Sequence, residues 1–417
     1  MRFTTLDQWL RWQESLHPTE IDLGLDRVQQ VLQRMELPAP SFKIISVAGT
    51  NGKGSCVAML DAIYRAAGYK VGTYTSPHIK RYNERIAING QSVSDDALCR
   101  MFERVDQCRG DVSLTYFEFG TLAAIGLLHE AQIDVALLEV GLGGRLDAVN
   151  ILDADLAIIT RIGLDHQAWL GDNRDAVALE KAGIARAHRP TVCGDPEPPE
   201  TLIHYLEELQ SPLYLVNRDF NYHIADNGRW QWCHSDRSFS DLPLPALRGD
   251  FQLLNAASVL MAVELLEAAL PLKAAAIGDG LRSVSLPGRF QVIDGNVTII
   301  VDVAHNPQSA EALSATLRNW PGQGKTRGVF AVLKDKDVAG ILQPMLDVVD
   351  EWYVAPLDVE RAMPSDDVLA ILRSLTQPLH AQGYDSVQLA KDTAMAQSRP
   401  GDRIVVFGSF YTVAEVL

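Results

Sequence analysis

The sequence predicts an α/β protein of two domains. The first is an N-terminal, mostly parallel sheet of phosphate-loop type, flanked by helices and carrying a small antiparallel insertion, and the second is a smaller, C-terminal, Rossmann-like α/β domain. The chain has 417 residues, which is more than one typical hydrophobic core supports. Apolar, strand-like runs alternate with helical patterns, as expected for a parallel sheet covered by helices. A turn-rich stretch in the middle and one Pro-Gly pair interrupt this alternation.

The N-terminal domain is assigned to residues 1–286. Its first residues, MRFTTLDQWLRWQESL, place Asp, Gln and Glu among apolar positions and predict an amphipathic surface helix, not a secretory signal. Strand-like runs follow at 43–49, 133–141 and 155–163, with helical patterns at 55–69, 121–132 and 255–270. Residues 196–246 are rich in turn formers and alternating aromatics, which predicts small antiparallel strands and a hairpin around Asn227-Gly228.

The C-terminal domain is assigned to residues 287–417. We place the boundary near Leu286-Pro287-Gly288, because Pro and Gly punctuate the chain there. Beyond it a second α/β cycle begins, with strand candidates at 297–307, 327–333, 350–357 and 402–409. We therefore expect two domains of unequal size, each built on its own sheet.

The composition argues against several classes of protein. The chain is 47% hydrophobic and 22% charged, as in globular proteins, and has no apolar run long enough to span a bilayer. Its net charge of −16 argues against a nucleic-acid surface, which requires a positive face. The five cysteines form no CxxC pair, which is typical of reduced thiols in a cytoplasmic protein. We expect a cytoplasmic monomer that binds neither nucleic acid nor membranes.

The stretch IISVAGTNGKGSCVA, residues 44–58, is the first candidate binding site. Its glycines permit close backbone approach, Lys53 supplies a positive charge, and Ser55 is expected to open a helix whose N-terminus favours anions. The stretch departs from G-x-x-x-x-G-K-[ST], since Val47 occupies the first glycine position and Gly54 separates Lys53 from Ser55. A plain glycine turn is the alternative, and we favour a phosphate site.

A second glycine cluster, GLGGRLDA at 141–148, matches a dinucleotide-binding turn only in part. The pattern G-x-G-x-x-G requires glycine at 146, where the chain has Leu146. The sequence therefore does not indicate an NAD-dependent dehydrogenase. Glu139, just before the cluster, ends an apolar run, and a buried carboxylate needs a partner or a metal ion, which makes it a candidate functional residue.

A series of motifs, in order along nearly the whole chain, carries a family resemblance. They are GTNGKGS (49–55), SPHI (76–79), RYNERI (81–86), LTYFEFGTLAA (114–124), LEVGLGGRLDAVN (138–150), GLDH (163–166), EKAGI (180–184), LPGRFQ (286–291), DVAHNP (302–307) and GSFYTVAEV (408–416). Together they resemble the folylpolyglutamate synthases of the Mur ligase superfamily, and specifically the bacterial bifunctional dihydrofolate synthase/folylpolyglutamate synthases.

The resemblance implies an ATP-dependent amide ligase. In that family ATP converts a pterin-linked carboxylate into an acyl phosphate, which the amine of L-glutamate attacks to give an amide, ADP and phosphate. The acceptors implied are dihydropteroate, giving dihydrofolate, and the glutamate tail of reduced folates. Magnesium, with two ions expected and potassium as a further candidate, completes the implied set of small-molecule partners.

The resemblance also implies site residues. For ATP it implies Thr50, Asn51, Gly52, Lys53, Gly54, Ser55, Asn255, Arg289 and Asp302, with His305 beside them. For magnesium it implies Ser76, Glu139 and His166, and for catalysis Lys53, His166 and Lys181, the last as a carbamylated lysine. For the pterin it implies Leu23, Gly24, Leu25, Asp26, Thr115, Tyr116, Phe117, Glu118, Leu146, Asp147 and Ala148.

Plainer interpretations of four of these residues stay open at this point. Ser76 before Pro77 could simply shape a turn, and His166 alone is more often a turn histidine. A lone lysine such as Lys181 on a helix is usually solvated. An aromatic residue before a helix, such as Phe117, more commonly belongs to the core.

Two alternative functions and one departure from the family pattern complete the interpretation. A cell-wall Mur ligase acting on a UDP-sugar is disfavoured, because the first 43 residues are too short for a separate UDP-binding domain. A nucleotide-binding regulator without chemistry would not need Glu139, His166 and Lys181 together. After GLDH the family commonly has Thr and then often Asp, where this chain has Gln167 and Ala168, so a hydrogen bond from those two positions is in doubt.

Overall fold

The computed structural model describes residues 2–320, 324–376 and 380–417. In it the chain forms two compact units: a first unit of Met1–Ala246 with Leu253–Val284, and a second unit of Leu247–Gln252 with Ser285–Leu417. Each unit has its own sheet and its own hydrophobic clusters, so the predicted two-domain α/β fold is confirmed. None of the helices in the described ranges is long and apolar enough to cross a membrane.

The first unit contains the larger sheet. Its helices are α1 (Leu6–Glu14), α2 (Asp26–Arg34), α3 (Lys53–Ala66), α4 (Asp95–Arg109), α5 (Tyr116–Glu130), α6 (Gln167–Leu170), α7 (Arg174–Ala182), α8 (Glu200–Glu208), α9 (Phe251–Leu265) and α10 (Ala274–Ser283). Its strands are β1 (Lys43–Ala48), β2 (Val71–Tyr74), β3 (Ile86–Ile88), β4 (Gln91–Ser92), β5 (Val135–Glu139), β6 (Leu156–Ile159), β7 (Thr191–Cys193), β8 (Leu213–Leu215), β9 (Phe220–Ile224), β10 (Trp230–His234) and β11 (Arg237–Leu242). Short 3₁₀ turns lie at Tyr82–Arg85 and Ala148–Ile151.

Eight strands of the described residues form the main sheet, in the order β4-β3-β2-β5-β1-β6-β7-β8. Six neighbouring strands of this sheet run parallel, namely β2, β5, β1, β6, β7 and β8. The strands β3 and β4 add an antiparallel edge beside β2. The central strands are buried along almost their whole length, because helices cover both faces of such a sheet. Helix α3 packs closely on α10, where a Cβ atom on Gly280 would lie 2.6 Å from the Cα atom of Ile63.

The predicted antiparallel insertion is confirmed in the described residues as a three-stranded sheet, β11-β10-β9, but only over 220–242 of the predicted 196–246. The earlier part of that stretch forms α8, which buries Leu202 and Leu206, and β8, which pairs in parallel with β7. The hairpin between β9 and β10 turns at the predicted Asn227-Gly228, and Gly228 has a φ of +74°, a conformation that favours glycine. Trp230 and Trp232 on β10 are almost fully buried, and their indole N–H groups donate to the carbonyls of Pro243 and Ala257 at 2.7 and 3.1 Å. The aromatic alternation in this region thus marks the buried face of the insertion.

The second unit carries the smaller sheet. Its strands are β12 (Gln291–Ile293), β13 (Thr298–Val301), β14 (Thr326–Phe330), β15 (Glu351–Val354), β16 (Ala381–Gly383) and β17 (Arg403–Phe407), and its helices are α11 (Pro307–Asn319), α12 (Val338–Leu342), α13 (Ser365–Leu375), α14 (Val387–Gln397) and α15 (Phe410–Ala414). In its described residues six strands are ordered β12-β13-β17-β14-β15-β16, parallel except for β12. The four predicted strands correspond to β13, β14, β15 and β17.

Candidate active site

Four predicted segments follow the carboxyl ends of four neighbouring strands of the first unit. The strands β2, β5, β1 and β6 are adjacent and parallel, so these ends lie along one edge of the sheet. Ser76 follows β2, Glu139 ends β5, the glycine-rich turn 49–55 follows β1, and His166 lies beyond β6. Ligands of α/β proteins bind at this edge, and the sequence motifs meet there.

The glycine-rich turn adopts a backbone that its glycines make possible. Gly49 has a φ of +146°, and a Cβ atom there would lie 1.8 Å from Oγ1 of Thr160. Gly52 has a φ of +98°, and its Cβ atom would lie 2.6 Å from Oδ1 of Asn255. Side chains at either position would therefore clash, and the predicted ATP-binding residue Asn255 lies directly against the turn.

Helix α3 begins at Lys53, and the prediction that Ser55 opens it was wrong by two residues. The left-handed Gly52 is the N-cap, and this conformation ends the turn and fixes the helix start before Ser55. Nζ of Lys53 donates to the carbonyl oxygens of Gly49 and Thr50 at 2.9 and 3.2 Å, so the ammonium group folds back over the turn. Backbone N–H groups and a positive charge thus share one small region, as phosphate binding requires.

The turn is fastened to the segment that follows β6. The backbone N–H of Thr50 donates to the carbonyl of Arg161 at 2.8 Å, and its hydroxyl donates to the carbonyl of Gly163 at 2.8 Å. The hydroxyl of Thr160 donates to the carbonyl of Asn51 at 2.8 Å. These bonds hold the turn in place relative to the segment that leads to His166.

Ser76 and Glu139 are in direct contact. The backbone N–H of Ser76 donates to Oε2 of Glu139 at 3.2 Å, and Glu139 is only 6% exposed. The carboxylate oxygens of Glu139 are of the type that binds Mg²⁺. This ion usually has few protein ligands, and water molecules or phosphate oxygens complete its coordination. In the described ranges no three or more His, Cys, Asp or Glu side chains group as a metal site.

His166 lies at the same edge but is exposed. Its φ of +51° is left-handed, and it stands at the N-terminal boundary of the short helix α6. The two departures from the family pattern, Gln167 and Ala168, are also exposed in α6. The role of His166 in binding magnesium stays a prediction from the resemblance.

Lys181 is buried, contrary to the plain interpretation of a solvated lysine. It lies on α7 and is 3% exposed. Burial, together with the positive charge of Lys53, lowers the pKa of Lys181 to about 7, although the carboxylates of Asp165, Asp147 and Glu180 oppose this shift. A lysine amine with such a pKa is about half neutral near pH 7, and the neutral amine is the form that reacts with carbon dioxide.

Glycines allow the loop 141–148 to pack directly on α7. A Cβ atom on Gly144 would lie 2.7 Å from the carbonyl oxygen of Glu180, and one on Gly183 would lie 2.5 Å from Cα of Arg145. The backbone N–H of Arg145 also donates to the carbonyl of Glu180 at 2.8 Å. The motifs GLGGRLDAVN and EKAGI therefore form one packed unit that buries Lys181.

Asp147, a predicted pterin-binding residue, shapes its own loop. It is 2% exposed, and its carboxylate accepts the backbone N–H groups of Leu142 and Val149 at 2.8 and 2.9 Å. Burial raises the pKa of Asp147 to about 6 despite these bonds. Leu146 beside it is half-buried and Ala148 is buried, so a pterin contact at these three residues stays a prediction.

The other two predicted pterin segments are joined by an ion pair. Thr115 caps α5, its hydroxyl accepting the backbone N–H of Glu118 at 3.2 Å. Glu118 in turn accepts from Nη2 of Arg27 at 2.9 Å, and Nη1 of Arg27 donates to Asp22 at 2.8 Å. Arg27 and Asp22 flank the predicted segment 23–26 and tie it to the start of α5. The sequence analysis missed both residues, although a charged pair around LGLD was a visible signal.

Phe117 and Tyr116 lie half-buried in the first turn of α5. The ring of Phe117 covers Gly141, where a Cβ atom would lie 2.6 Å from Cζ, and its centroid is 5.9 Å from that of Tyr74. Phe117 therefore has core contacts, as its plainer interpretation expected. Part of the Phe117 ring is exposed, and its stacking on a pterin stays a prediction.

The second unit brings together three predicted residues. Asp302 accepts the backbone N–H groups of Phe290 and Ala304 at 2.7 and 2.8 Å, which fixes the chain next to Arg289. The guanidinium carbon of Arg289 lies 5.0 Å from the ring centroid of Phe410, and the ring of His305 lies 6.0 Å from the same centroid. Phe410, which the sequence analysis did not select, comes from the motif GSFYTVAEV.

Comparisons with known proteins identify the family. The model of a protein family described as "Mur ligase, glutamate ligase domain" matches residues 288–410. Over 412 residues the chain is 43% identical to the dihydrofolate synthase/folylpolyglutamate synthase of Escherichia coli (strain K12), covering 99% of this chain and 94% of that protein. The chain belongs to the dihydrofolate synthase/folylpolyglutamate synthase family.

A second relative and two solved structures of this family are also similar to the chain. The Haemophilus influenzae protein of the same name is 39% identical over 429 residues, covering 98% of this chain and 96% of that protein. The structure of E. coli FolC in complex with DHPP and ADP has a TM-score of 0.94 at 43% identity, covering 99% of this chain and 97% of that chain. A bifunctional folylpolyglutamate synthase/dihydrofolate synthase with Mn, AMPPNP and L-glutamate bound has a TM-score of 0.91 at 44% identity, with 99% and 97% coverage.

These findings confirm the predicted family and the prediction of a ligase. Family membership also sets aside the two alternative functions, the UDP-sugar ligase and the regulator without chemistry. The roles of the individual site residues stay predictions.

Proposed function

We propose that this protein uses ATP to join L-glutamate to dihydropteroate and to the glutamate tail of reduced folates. The observation that carries the proposal is the meeting of the glycine-rich turn, Glu139 with Ser76, and the segment leading to His166 at one sheet edge, since these motifs are far apart in sequence. Both activities are proposed together because relatives of similar length bear both names.

The chemistry requires two anions to meet. The acceptor carboxylate and the γ-phosphate repel each other, so the protein must supply cations and fixed dipoles and hold both groups in position. Lys53, the N–H groups of residues 50–55 and the N-terminus of α3 would bind the phosphates. Asn255 against Gly52 would position the nucleotide beside them.

A divalent cation, magnesium in our proposal, would be held by Ser76, Glu139 and His166. When bound it would neutralise phosphate charge and polarise the transferred phosphoryl group. The related bifunctional structure with Mn, AMPPNP and L-glutamate bound supports a divalent ion in this protein. Lys181, once carbamylated, would carry a carboxylate in place of a cation and would support a second ion, with potassium as an additional candidate.

Arg289 would contribute to nucleotide binding, because a guanidinium binds phosphate oxygens in bidentate fashion. Asp302 holds the neighbouring backbone and would thereby position Arg289 for nucleotide binding. His305 shares the ring of Phe410 with Arg289 and would contact the same ligands.

The pterin would lie among the three segments 23–26, 115–118 and 146–148. The Arg27–Glu118 pair joins the first two segments, and Gly24 has open space where a Cβ atom would stand.

All five cysteines are free thiols, which suits the reducing cytoplasm that we propose as the location of the protein. We propose a monomeric enzyme whose partners are these small molecules.

One assay tests the proposal. Purified protein is incubated with ATP and magnesium and with dihydropteroate or tetrahydrofolate, each with and without L-glutamate, and ADP release is measured. We expect glutamate-dependent ADP release with both acceptors, and a product heavier by one glutamyl residue in mass spectrometry. The absence of turnover with both acceptors would contradict the proposed function. Turnover with only one acceptor would contradict the activity proposed for the other acceptor.

A further inference from the structure

Arg85 is a buried cation that forms no ion pair with an acidic side chain among the described residues. It ends the 3₁₀ turn before β3 and is 9% exposed. Its Nε donates to Nδ1 of His78 at 2.9 Å, and its guanidinium carbon lies 5.3 and 5.5 Å from the ring centroids of Tyr82 and Tyr116. In the described part of the chain we find no Asp or Glu in an ion pair with it. A buried charge without a counter-charge is costly, so such an arrangement calls for an anionic partner.

The acid beside Arg85 in the chain is committed elsewhere. The carboxylate of Glu84 accepts the backbone N–H groups of Ile79, Lys80 and Arg81 at 2.7, 3.0 and 2.7 Å. It therefore fixes the loop 79–81 by three bonds. These bonds occupy the Glu84 carboxylate, and it forms no hydrogen bond with the guanidinium of Arg85 in the described structure.

The position of Arg85 indicates which anion that is. Tyr116, under its guanidinium, stands between Thr115 and Phe117 in the first turn of α5, one of the proposed pterin segments. The carbonyl oxygen of Arg85 accepts the backbone N–H of Thr75 at 2.8 Å, one residue before Ser76. Arg85 thus lies between the segment proposed for the pterin and the residue proposed for the metal. The acceptor must span that region, because its pterin and its reacting carboxylate lie at opposite ends.

We propose that Arg85 binds a carboxylate group of the acceptor, an inference that rests on the proposed function. A guanidinium pairs with a carboxylate through two parallel hydrogen bonds, and aromatic rings around it strengthen the pair by excluding water. The carboxylate has two sources: the benzoate group of dihydropteroate, and the glutamate tail of a reduced folate. None of the residues implied by the family resemblance performs this task.

The test replaces Arg85 with glutamine and with lysine and measures steady-state kinetics with each acceptor. For Arg85→Gln we expect kcat/KM for the acceptor to fall about 10- to 100-fold, the size of a lost charge-assisted hydrogen bond. The KM values for ATP and L-glutamate should stay unchanged. Arg85→Lys keeps the positive charge but lacks the two parallel N–H donors of the guanidinium, so its kcat/KM for the acceptor should fall less. A loss with tetrahydrofolate alone assigns Arg85 to the glutamate tail, and a loss with dihydropteroate alone assigns it to the benzoate carboxylate. A loss with both acceptors assigns it to the reacting carboxylate that each of them carries.

Arg81→Gln is the matched control, because Arg81 lies in the same loop and is exposed and paired with Asp95 at 2.9 Å. It should leave the kinetics with both acceptors as in the unchanged protein. Unaltered acceptor kinetics in Arg85→Gln would overturn the inference, as would equal rises in the KM values of all three substrates with a lowered melting temperature in both Arg85 variants. Failure of the proposed function is distinct from either result, since the unchanged protein would then show no turnover.

Discussion

Replacing Lys53 with alanine is expected to reduce glutamate-dependent ADP release about 100- to 1,000-fold, the loss typical of removing one group that stabilises transition-state charge. Its ammonium lies over the glycine-rich turn at the N-terminus of α3, where the phosphates are proposed to bind. The variant should fold, because the carbonyls of Gly49 and Thr50 lie in a part-buried region where water can replace the lost donor. ADP release and the melting temperature are measured together.

Lys43→Ala is the matched control for this variant. Lys43 stands at the other end of the same strand, β1, and is 41% exposed in its pair with Asp155. Its loss should change activity little, since exposed ion pairs contribute little to stability. Full activity of Lys53→Ala would reject the role assigned to Lys53. Equal losses in both lysine variants would also reject it.

Replacing Lys181 with glutamine is expected to lower activity about 10- to 100-fold, the loss typical of removing a group that supports a bound metal ion, as we propose for Lys181. The proposed carbamate would form from the neutral amine of Lys181. Because the pKa of Lys181 is lowered to about 7, the neutral fraction grows as the pH rises through 7 and shrinks below it. Removing carbon dioxide from the buffer should therefore reduce activity, more strongly below pH 7, and added bicarbonate should restore it.

Carbon NMR with ¹³C-bicarbonate observes the carbamate directly. We expect a carbamate signal in the unchanged protein that is missing from Lys181→Gln. Lys181→Arg separates charge from carbamylation, since arginine keeps the cation and does not form the carbamate. If Lys181→Arg retained full activity and the unchanged protein gave no carbamate signal and needed no carbon dioxide, carbamylation would be excluded.

Some parts of the site could be predicted from the sequence because each carries a local signal. Gly49 and Gly52 stand where the backbone turns sharply after an apolar run, and both have the positive φ that such a turn requires. Glu139 ends a run of buried residues, so its carboxylate had to lie at a sheet edge. The alternation of strands and helices likewise predicted both sheets.

Other parts depend on packing between distant segments and had no local signal. Lys181 looks like a surface lysine until Gly144 and Gly183 allow a loop to cover it. Arg85 is surrounded by Tyr82 and Tyr116, the second of which is distant in sequence, so its burial could not be predicted.

Secondary structure shows the same limit. The strands β12 and β16 have three residues each, which is too short for a recognisable apolar run, and they form only by pairing with β13 and β15. The start of α3 was misplaced because the left-handed conformation of Gly52, and not a hydroxyl side chain, sets it. Pairing and backbone conformation decide these details, and the sequence alone does not display either.

The central claim is that the acceptor carboxylate attacks the γ-phosphate of ATP and becomes an acyl phosphate. Dihydropteroate labelled with ¹⁸O in its carboxylate tests it most directly, with the released phosphate analysed by mass spectrometry after a single turnover. The account predicts one ¹⁸O atom in each released phosphate, because the bond that breaks when glutamate attacks leaves a carboxylate oxygen on phosphorus. Phosphate released without ¹⁸O, alongside amide product, would contradict it.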